Sequence, residues 1–386
     1  MSSVPEVVIV QRRLTNYRVP LFERMRTLMS QRGMKLRLLH GDPTPVEATK
    51  RDGGQVGWAE HLPTRYLAGG RLCWQNFGPR VRDADLVIVT QENKLLYNLV
   101  ALTVRRPPRI AFWGHGGNLQ SDRPDGWKER FKRWTTRRVD WWFAYTDLSA
   151  DLVQAQGYAP ERITVLDNAV DTQELIEWRR QIDATAVEAA RAKLGLTGHH
   201  VGVFVGSLYA DKRIDFLLQA AGEIRRRVPD FELLIVGSGP LAPMVEQHAA
   251  RHPWVHYLGV RTGRDKVEVV ALAQVMLNPG LVGLGVLDAF ACGVPMLTTD
   301  CRLHSPEIAY LRHGHNGLMT PDTLHDYVDA AVMLLTRPEV AQRLRQGCAD
   351  AAGRYTVENM ARRFTEGIGR CLDAPRLGET APEWKT

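Results

Sequence analysis

Short runs of aliphatic and β-branched residues alternate with longer amphipathic stretches along nearly the whole chain, and this alternation is the feature that most constrains the fold. Strands that are apolar throughout and separated by helices indicate parallel sheets covered on both faces. The pattern occurs in two consecutive sets, so we predict an α/β protein with two doubly wound, Rossmann-like domains. The first set of predicted strands is Val7–Val10, Leu36–Leu39, Leu86–Thr90, Ile110–Trp113, Trp142–Tyr145 and Ile163–Leu166. The second set is Val201–Val205, Leu233–Val236, Val255–Leu258, Val275–Asn278 and Pro295–Thr298.

The length of 386 residues also favours two domains, because single cores rarely grow beyond about 250–300 residues. Helices are predicted within the pattern, among them Pro20–Arg32, Ser149–Gln156 and Asp350–Cys371. We predict an N-terminal domain over residues 1–172, a linker over 173–196 and a C-terminal domain over 197–349. Residues 350–386 are predicted to form a last helix and a tail.

Composition narrows the class of protein. The five cysteines are scattered and never spaced as C-x-x-C, which argues for reduced thiols and against a disulfide framework or a zinc site. No apolar run approaches the ~20 residues of a membrane-spanning helix, and the N-terminus has no signal-peptide pattern. We therefore expect a cytoplasmic protein. The formal net charge of +7 favours anionic partners, which could be nucleic acid, nucleotide phosphates or an acidic membrane surface.

The loops that follow the strands carry the candidate chemistry, because ligands of open parallel sheets bind beyond the carboxyl ends of the strands. After Val201–Val205 comes the small turn Gly206-Ser207, and then Lys212 and Arg213 at the start of a helix. Backbone amides, the helix dipole and a lysine together suit a diphosphate, whose charge grows as it leaves. Lys212 and Arg213 could equally be solvated residues of a helix start.

Two further loops are rich in glycine. Gly237 lies in a tight strand-to-helix turn, for which a purely structural role is at least as good an explanation. In the segment Asn278–Pro295, glycines allow close approach of a ligand, and Asp288 lies about one turn into the following helix. Its carboxylate could accept hydrogen bonds from ribose hydroxyls, or it could only compensate the helix dipole.

In the first half of the chain, His115 lies among glycines just after Ile110–Trp113. Most isolated histidines are surface or core residues, but the glycines on either side and the position after a strand favour a functional role.

Several motifs occur in a fixed order along the chain: Asp167-Asn168-Ala169-Val170-Asp171, Gly206–Asp215, Gly280–Pro295, Pro306-Glu307-Ile308 and Gly314-His315-Asn316-Gly317. As an ordered set they resemble the retaining nucleotide-sugar glycosyltransferases of GT-B architecture, specifically glycosyltransferase family 4. The resemblance spans nearly the whole chain and is strongest between residues 163 and 317.

The resemblance implies two Rossmann-like domains with a cleft between them, and a last helix that returns to the first domain. It implies a nucleotide-diphosphate sugar as co-substrate, with no other cofactor and no metal. Lys212 would hold the diphosphate, Asp288 the ribose, and His115 the donor sugar near the reacting carbon. The catalytic residues implied are His115 and Lys212. The donor-binding residues implied are Gly206, Ser207, Arg213, Gly237, Val260, Arg261, Gly280, Leu281, Val282, Gly283, Leu284 and Asp288.

The chain departs from the family pattern at two positions of the predicted donor site. Ser207 stands where the family has a phosphate-binding arginine, for which Arg213 could substitute, and Gly280 stands where the family has the first of two acidic residues. These departures predict an atypical donor subsite or an inactive enzyme. The loop after the first strand lacks the family's paired glycines. Its polar residues could face an anionic acceptor or the donor phosphates, and they are Arg12, Arg13, Asn16 and Arg18.

Two other segments suggest different partners. Asp83-Ala84-Asp85 has the spelling of a metal-binding motif but precedes a strand and has no other carboxylates nearby, so we interpret it as an acidic turn and predict no metal site. Residues 127–138 mix aromatic and basic side chains at helical spacing. They could contact an acidic membrane near a lipid-linked acceptor at the inner face of the cell membrane, or they could be an ordinary packed helix. No nucleic-acid motif is present, and we predict no nucleic-acid partner.

The function predicted from the resemblance is a metal-independent, retaining glycosyltransferase of hexosyltransferase type. It would move a sugar from a UDP- or GDP-sugar to a glycan, glycolipid or small-molecule acceptor, as in bacterial cell-surface polysaccharide or glycoconjugate synthesis. A nucleotide-sugar epimerase of the same fold and an inert nucleotide-sugar-binding protein are the alternatives.

Overall fold

A computed structural model describes residues 4–49, 52–117 and 127–379, with only the backbone at 127–129, 131 and 132. The strands are β1 (Glu6–Gln11), β2 (Lys35–His40), β3 (Glu60–His61), β4 (Arg65–Leu67), β5 (Leu72–Trp74), β6 (Leu86–Thr90), β7 (Ile110–Gly114), β8 (Trp141–Ala144), β9 (Ile163–Val165), β10 (His200–Val205), β11 (Phe231–Val236), β12 (Val255–Gly259), β13 (Val275–Leu277), β14 (Met296–Thr299) and β15 (Gly317–Thr320).

The helices follow the predicted alternation. They are α1 (Val19–Gln31), α2 (Pro45–Ala48), α3 (Leu96–Thr103), α4 (Trp127–Thr136), α5 (Asp147–Ala155), α6 (Gln173–Gln181), α7 (Ala184–Leu194), α8 (Ile214–Arg227), α9 (Ala242–Arg251), α10 (Gly263–Ala271), α11 (Gly285–Cys292), α12 (Leu324–Thr336), α13 (Pro338–Arg354) and α14 (Val357–Asp373).

The chain forms two compact units. The first unit, Met1–Asp171 with Val357–Thr386, contains a seven-stranded sheet of order β3-β2-β1-β6-β7-β8-β9 and the small antiparallel pair β4-β5. The second unit, Thr172–Thr356, contains a six-stranded sheet of order β12-β11-β10-β13-β14-β15. All neighbouring strands of both larger sheets are parallel. Two α/β units with parallel sheets and helices between the strands are what the apolar strand pattern predicted.

The last helix belongs to the first unit. Along α14 the residues Met360, Phe364 and Ile368 are fully buried at a spacing of four, so they form one stripe against the sheet. The ring centroids of Phe364 and Trp113 lie 5.1 Å apart. Burial of a side chain of this size stabilises the folded state by about 1.5–3 kcal/mol. A Cβ at position 367 would lie 2.5 Å from Thr164 Oγ1, so Gly367 allows α14 to approach β9 closely.

Some predicted boundaries differ from the structure. Residues 173–196, the predicted linker, form α6 and α7 within the second unit, and Arg179 of α6 donates to the Cys292 carbonyl at 3.2 Å. The predicted helix Asp350–Cys371 is divided between α13 and α14, because the chain leaves helical geometry at Tyr355, whose ring stacks 4.0 Å from Tyr310.

Strands β3, β4, β5 and β15 were not predicted, since they are two to four residues long and have little apolar pattern. Of the helices in the part of the chain that the structure describes, none has both the length and the apolar character to cross a membrane.

Candidate functional site

At the carboxyl edge of the six-stranded sheet, the loops after β10 and β11 are joined through their backbones. The Gly206 amide donates to Val236 O at 3.0 Å, and the Leu208 amide donates to Ser238 O at 2.9 Å. Gly237 has a φ of +140°, and a Cβ there would lie 1.8 Å from Gly206 O. A side chain at position 237 would therefore separate the two loops, which explains the glycine.

The loop after β13 meets the loop after β10 at Lys212. Residues Ala210–Lys212 form a 3₁₀ turn, and the Leu281 amide donates to Asp211 O at 2.8 Å. The Lys212 ammonium donates in turn to the Leu281 carbonyl. The sequence predicted that the segments near 207–213 and 280–288 belong to one donor site, and the structure brings Lys212 and Leu281 into direct contact.

Lys212 is half-buried and forms no salt bridge with the residues that the structure describes. Burial lowers the pKa of its ammonium to about 8, because transfer of the charge out of water is not offset by a paired carboxylate. An ammonium group has three donors, so an anionic ligand would complete its coordination.

Gly280 is buried where these loops touch. A Cβ built on it would lie 2.3 Å from Asp211 O and 2.5 Å from the carbonyl carbon of Lys212. No side chain fits there unless the backbone shifts. The absence of the family's first acidic residue is therefore tied to how closely this chain packs the two loops.

The structure does not support a free charge at Arg213. Its guanidinium is bound by the Asp322 carboxylate and by Thr299 Oγ1 at 3.2 Å, and it lies 4.5 Å from the ring centroid of Phe216. The expectation that Arg213 substitutes for the arginine missing at Ser207 is thus not supported, since Asp322 neutralises it; Ser207 itself is exposed.

Asp288 lies in the first turn of α11, as its position in the sequence suggested. Sequence reasoning missed its partner, Lys266 of α10, whose Nζ lies 2.9 Å from the Asp288 carboxylate. The closest indication in the sequence was that Lys266 lies in the helix that directly follows Val260 and Arg261, two residues predicted to bind the donor. Ribose hydroxyls would have to share this carboxylate with Lys266.

The loop that carries Val282 is held in place by His304, which follows β14. The Val282 amide donates to His304 Nδ1 at 3.1 Å, and His304 Nε2 lies 2.8 Å from Thr299 O, to which it donates. Cys301 Sγ lies 3.7 Å from the same ring nitrogen. His304 therefore acts on the loop through its backbone, a contact that no sequence motif indicated.

The other residues predicted to bind the donor lie in or next to these loops. Gly283 and Leu284 are half-buried immediately before α11, and Val260 is 64% exposed. Arg261 Nε donates to Leu258 O at 3.1 Å, which turns the side chain back on its own loop. The hydroxyl of Tyr257 donates to Gly237 O at 3.1 Å and thereby ties this segment to the loop after β11.

In the first unit, His115 is exposed directly after β7, and its ring centroid lies 4.5 Å from that of Tyr145. Gly116 has a φ of +74°, and a Cβ there would lie 2.5 Å from Ser149 O. The glycine on that side of the histidine is thus required by packing. Asn118 lies outside the described residues.

Arg12 and Arg13 are held by carboxylates. Arg12 donates to Glu47 at 2.7 Å and to the Tyr66 hydroxyl at 2.9 Å, while both terminal nitrogens of Arg13 bind Asp52, at 2.7 and 2.9 Å. The pKa of Glu47 is lowered to about 2, chiefly by its hydrogen bond from Arg12. These pairs contradict the expectation that both arginines offer free charge to an acceptor.

Two acceptor-side residues remain. Asn16 is exposed at the start of the 3₁₀ turn Asn16–Arg18, whereas Arg18 is 6% exposed beneath aromatic rings. Of four polar residues predicted to face the acceptor, two are thus neutralised by carboxylates and one is buried.

The acidic turn Asp83–Asp85 lies at the amino end of β6, where Asp85 accepts from the Glu6 amide at 2.8 Å. Among the described residues no three His, Cys, Asp or Glu side chains form a group suited to a metal ion.

Two family models match consecutive parts of the chain. Residues 23–174 match the model described as Glycosyltransferase Family 4, and residues 199–337 match the model described as Glycosyl transferases group 1. Together they cover about three quarters of the chain.

Named relatives are similar over part of the chain. The alpha-D-kanosaminyltransferase of Streptomyces kanamyceticus is 27% identical over 44% of this chain and 46% of its own length. A D-inositol 3-phosphate glycosyltransferase of Saccharomonospora viridis is 30% identical over 55% of this chain and 51% of its own. The chain thus spans about half the length of the relatives it matches.

Solved structures agree in fold. HepE of Anabaena, in complex with UDP, superposes with a TM-score of 0.70 at 14% identity over 95% of this chain and 99% of its own. The pneumococcal O-GlcNAc transferase GtfA, in complex with UDP and GlcNAc, gives 0.64 at 10% identity over 96% and 100%. Two Rossmann-like units and these neighbours define a protein of GT-B architecture. The chain belongs to the family 4-like group of GT-B glycosyltransferases.

Proposed function

We propose that this protein is a glycosyltransferase that transfers a sugar, with retention of configuration, from a UDP- or GDP-sugar to a glycan, glycolipid or small-molecule acceptor. The observation that carries the proposal is the contact between Lys212 and the Leu281 carbonyl, which joins the two loops at the carboxyl edge of the second unit. A half-buried ammonium that pairs with no carboxylate of the described chain, beside loops whose backbones pack closely, suits a diphosphate.

In the proposed reaction the bond between the anomeric carbon and the β-phosphate oxygen breaks, and its electron pair goes to the phosphate. The acceptor oxygen forms the new bond to the same face of that carbon, and its proton leaves with the nucleoside diphosphate or to solvent. Lys212 stabilises the charge that develops on the leaving group. His115, of the first unit, contacts the donor sugar. We propose that the protein needs no metal for this step, because Lys212 takes up that charge.

The names of relatives support the class of substrate. The relatives above are named alpha-D-kanosaminyltransferase and D-inositol 3-phosphate glycosyltransferase, and HepE and GtfA are solved with UDP. From the family resemblance we also propose a role in cell-surface polysaccharide or glycoconjugate synthesis. The mixture of aromatic and basic side chains in residues 127–138 supports a place on the cytoplasmic side of a membrane that this segment contacts. Five side chains of that segment lie outside the description; the ring of Trp134 is 40% exposed and lies 4.3 Å from the Arg138 guanidinium.

The test of the donor site is thermal unfolding with UDP, GDP, ADP and their sugars. A ligand that binds the native state raises the melting temperature with its concentration. We expect a shift with UDP or GDP that Lys212→Ala abolishes. The matched control is Lys193→Ala, which removes an exposed lysine of α7 and should leave the shift unchanged. An equal shift in the Lys212 variant would contradict the proposal.

Product analysis with the donor alone and then with an acceptor mixture tests the reaction. Transfer should require acceptor and persist in a metal chelator. Conversion of the donor without acceptor would identify an epimerase. Binding without turnover would identify an inert binding protein, a second candidate favoured by the pairing of Arg213 with Asp322 and by the packing at Gly280.

A further inference from the structure

Arg18 lies in the loop after β1 and is buried, whereas Arg12 and Arg13 of the same loop are half-buried. It is 6% exposed, and its guanidinium carbon lies 5.0 Å from the ring centroids of Tyr17 and Trp113 and 5.6 Å from that of Tyr145. The hydrogen bond recorded for it runs from Nη1 to the sulfur of Met360 at 3.8 Å. Within the described residues no carboxylate pairs with it.

This arrangement leaves the guanidinium poorly satisfied. Of its five N–H donors, one has an acceptor within the described residues, the thioether of Met360, which is a weak acceptor. Contacts with ring faces attract a cation, but a buried charge is ordinarily paired as well. Arg12 and Arg13, a few residues earlier, each have a carboxylate at 2.7 Å. Other segments therefore supply counterions to Arg12 and Arg13, and no described residue supplies one to Arg18.

Trp113, which contacts Arg18, belongs to a row of buried polar groups that lack partners in the described chain. Thr90 of β6 is the register partner of Trp113, and Val10 is the partner of Val89, so Gln11, Thr90 and Trp113 form a row at the carboxyl ends of three neighbouring strands. In the described chain, Gln11 Nε2, Thr90 Oγ1 and the Trp113 indole nitrogen are buried without a hydrogen-bond partner. An amide NH₂ and an indole N–H can only donate, so this row holds two buried donors without acceptors in the described chain.

The cation is close to the exposed histidine of the same unit. Tyr145 contacts Arg18 on one side and the His115 ring, 4.5 Å away, on the other. One tyrosine ring thus links the buried guanidinium with the residue proposed to contact the donor sugar.

We propose that Arg18 binds an anionic group, a phosphate or carboxylate, of the sugar acceptor next to His115. The inference rests on the proposed function and specifies its acceptor: the substrate carries a negative charge close to the hydroxyl that receives the sugar. The planar fork of the guanidinium suits two oxygens of such a group.

The experiment uses the full chain and inorganic phosphate as probe, titrated by calorimetry at constant ionic strength. The Lys212→Ala variant is the background, so that phosphate bound at the donor loops does not contribute. We expect Arg18→Met to weaken phosphate binding about tenfold or more, the range for hydrogen bonds to a charged group. The matched control is Arg26→Met, which removes an exposed arginine 4.8 Å from the ring centroid of Trp58 and should leave binding unchanged.

Three outcomes decide the inference. Unchanged phosphate affinity in Arg18→Met overturns it. If Arg18→Met does not fold, Arg18→Lys takes its place: it keeps the charge but loses the fork, so a several-fold loss is expected and an unchanged affinity overturns the inference. With Lys212 intact, phosphate should bind at Arg18 in the presence of saturating UDP, and displacement by UDP would assign Arg18 to the donor diphosphate instead. UDP binding to Arg18→Met tests the proposed donor site separately.

Discussion

Three cations in strand-end loops of the two units differ in their partners: Lys212 in the second unit, and Arg12 and Arg13 in the first. In the second unit Lys212 has no carboxylate partner in the described chain and contacts a backbone carbonyl. In the first unit Arg12 and Arg13, which are equally prominent in the sequence, are locked to Glu47 and Asp52. A basic residue in a strand-end loop is thus not by itself an available charge. Availability depends on whether the fold brings a carboxylate to it, and the two cases can be distinguished by experiment.

The largest effect is expected where the donor loops pack without side chains. Gly280→Ala places a Cβ 2.3 Å from Asp211 O, so the loop carrying Leu281 must move away from Lys212. We expect a loss of about 1–3 kcal/mol in the free energy of unfolding, and loss of the thermal shift with UDP. Denaturant unfolding and thermal shift measure the two effects.

Gly222→Ala is the control for this prediction. Its Cβ would meet nothing within 4 Å on α8, and alanine should stabilise a helix interior by about 0.5–1 kcal/mol. If Gly280→Ala behaved like Gly222→Ala, the close approach of the two loops would not be needed for donor binding.

The architecture could be predicted because its signal is local. Apolar strands of four to six residues between amphipathic helices identified the principal strands of both sheets, and the strand-end rule indicated Lys212 and Leu281. What could not be predicted depends on residues distant in sequence. Asp322 lies 109 residues from Arg213, and Lys266 lies 22 residues from Asp288. Such pairs form only when the fold brings the helices together, so the sequence identified the charged residues but not whether they were free.

The first unit provides the contrasting case, in which removal of a charge affects folding rather than binding. Glu47→Gln removes the closer of two carboxylates from the Arg12 guanidinium, whose side chain is 11% exposed, and leaves Glu92 at 3.8 Å. We expect a loss of about 2 kcal/mol in the free energy of unfolding at pH 7, after allowance for solvent screening, and no change in UDP affinity. Glu161→Gln, at an exposed carboxylate of the same unit, should have little effect.

The pH dependence of this variant has a definite sign. The pKa of Glu47 falls from 4.5 to about 2 on folding, so its contribution is present above pH 4.5 and disappears as the pH falls toward 2. The difference in stability between wild type and Glu47→Gln should shrink across that window. A difference that stayed constant would show that the ion pair is not its origin.

The smallest effect is expected in the pH dependence of UDP binding at Lys212. Its pKa in the folded protein is about 8, below the value of 10.5 for a free lysine. The ammonium of the unliganded protein therefore loses its proton at a lower pH than a free lysine does. Between these values the folded state binds fewer protons than the unfolded one, and this group makes the unliganded protein more stable as the pH rises.

UDP needs the charged form of Lys212, so the affinity for UDP should fall up to about tenfold per pH unit above 8, or about 1.4 kcal/mol. Calorimetry at pH 7, 8 and 9 measures this, with Lys212→Arg as the variant that stays charged and should show a flat profile. A flat profile in the wild type would mean that the lysine charge does not contribute to diphosphate binding, and the contrast between the two cases would then lose its functional meaning.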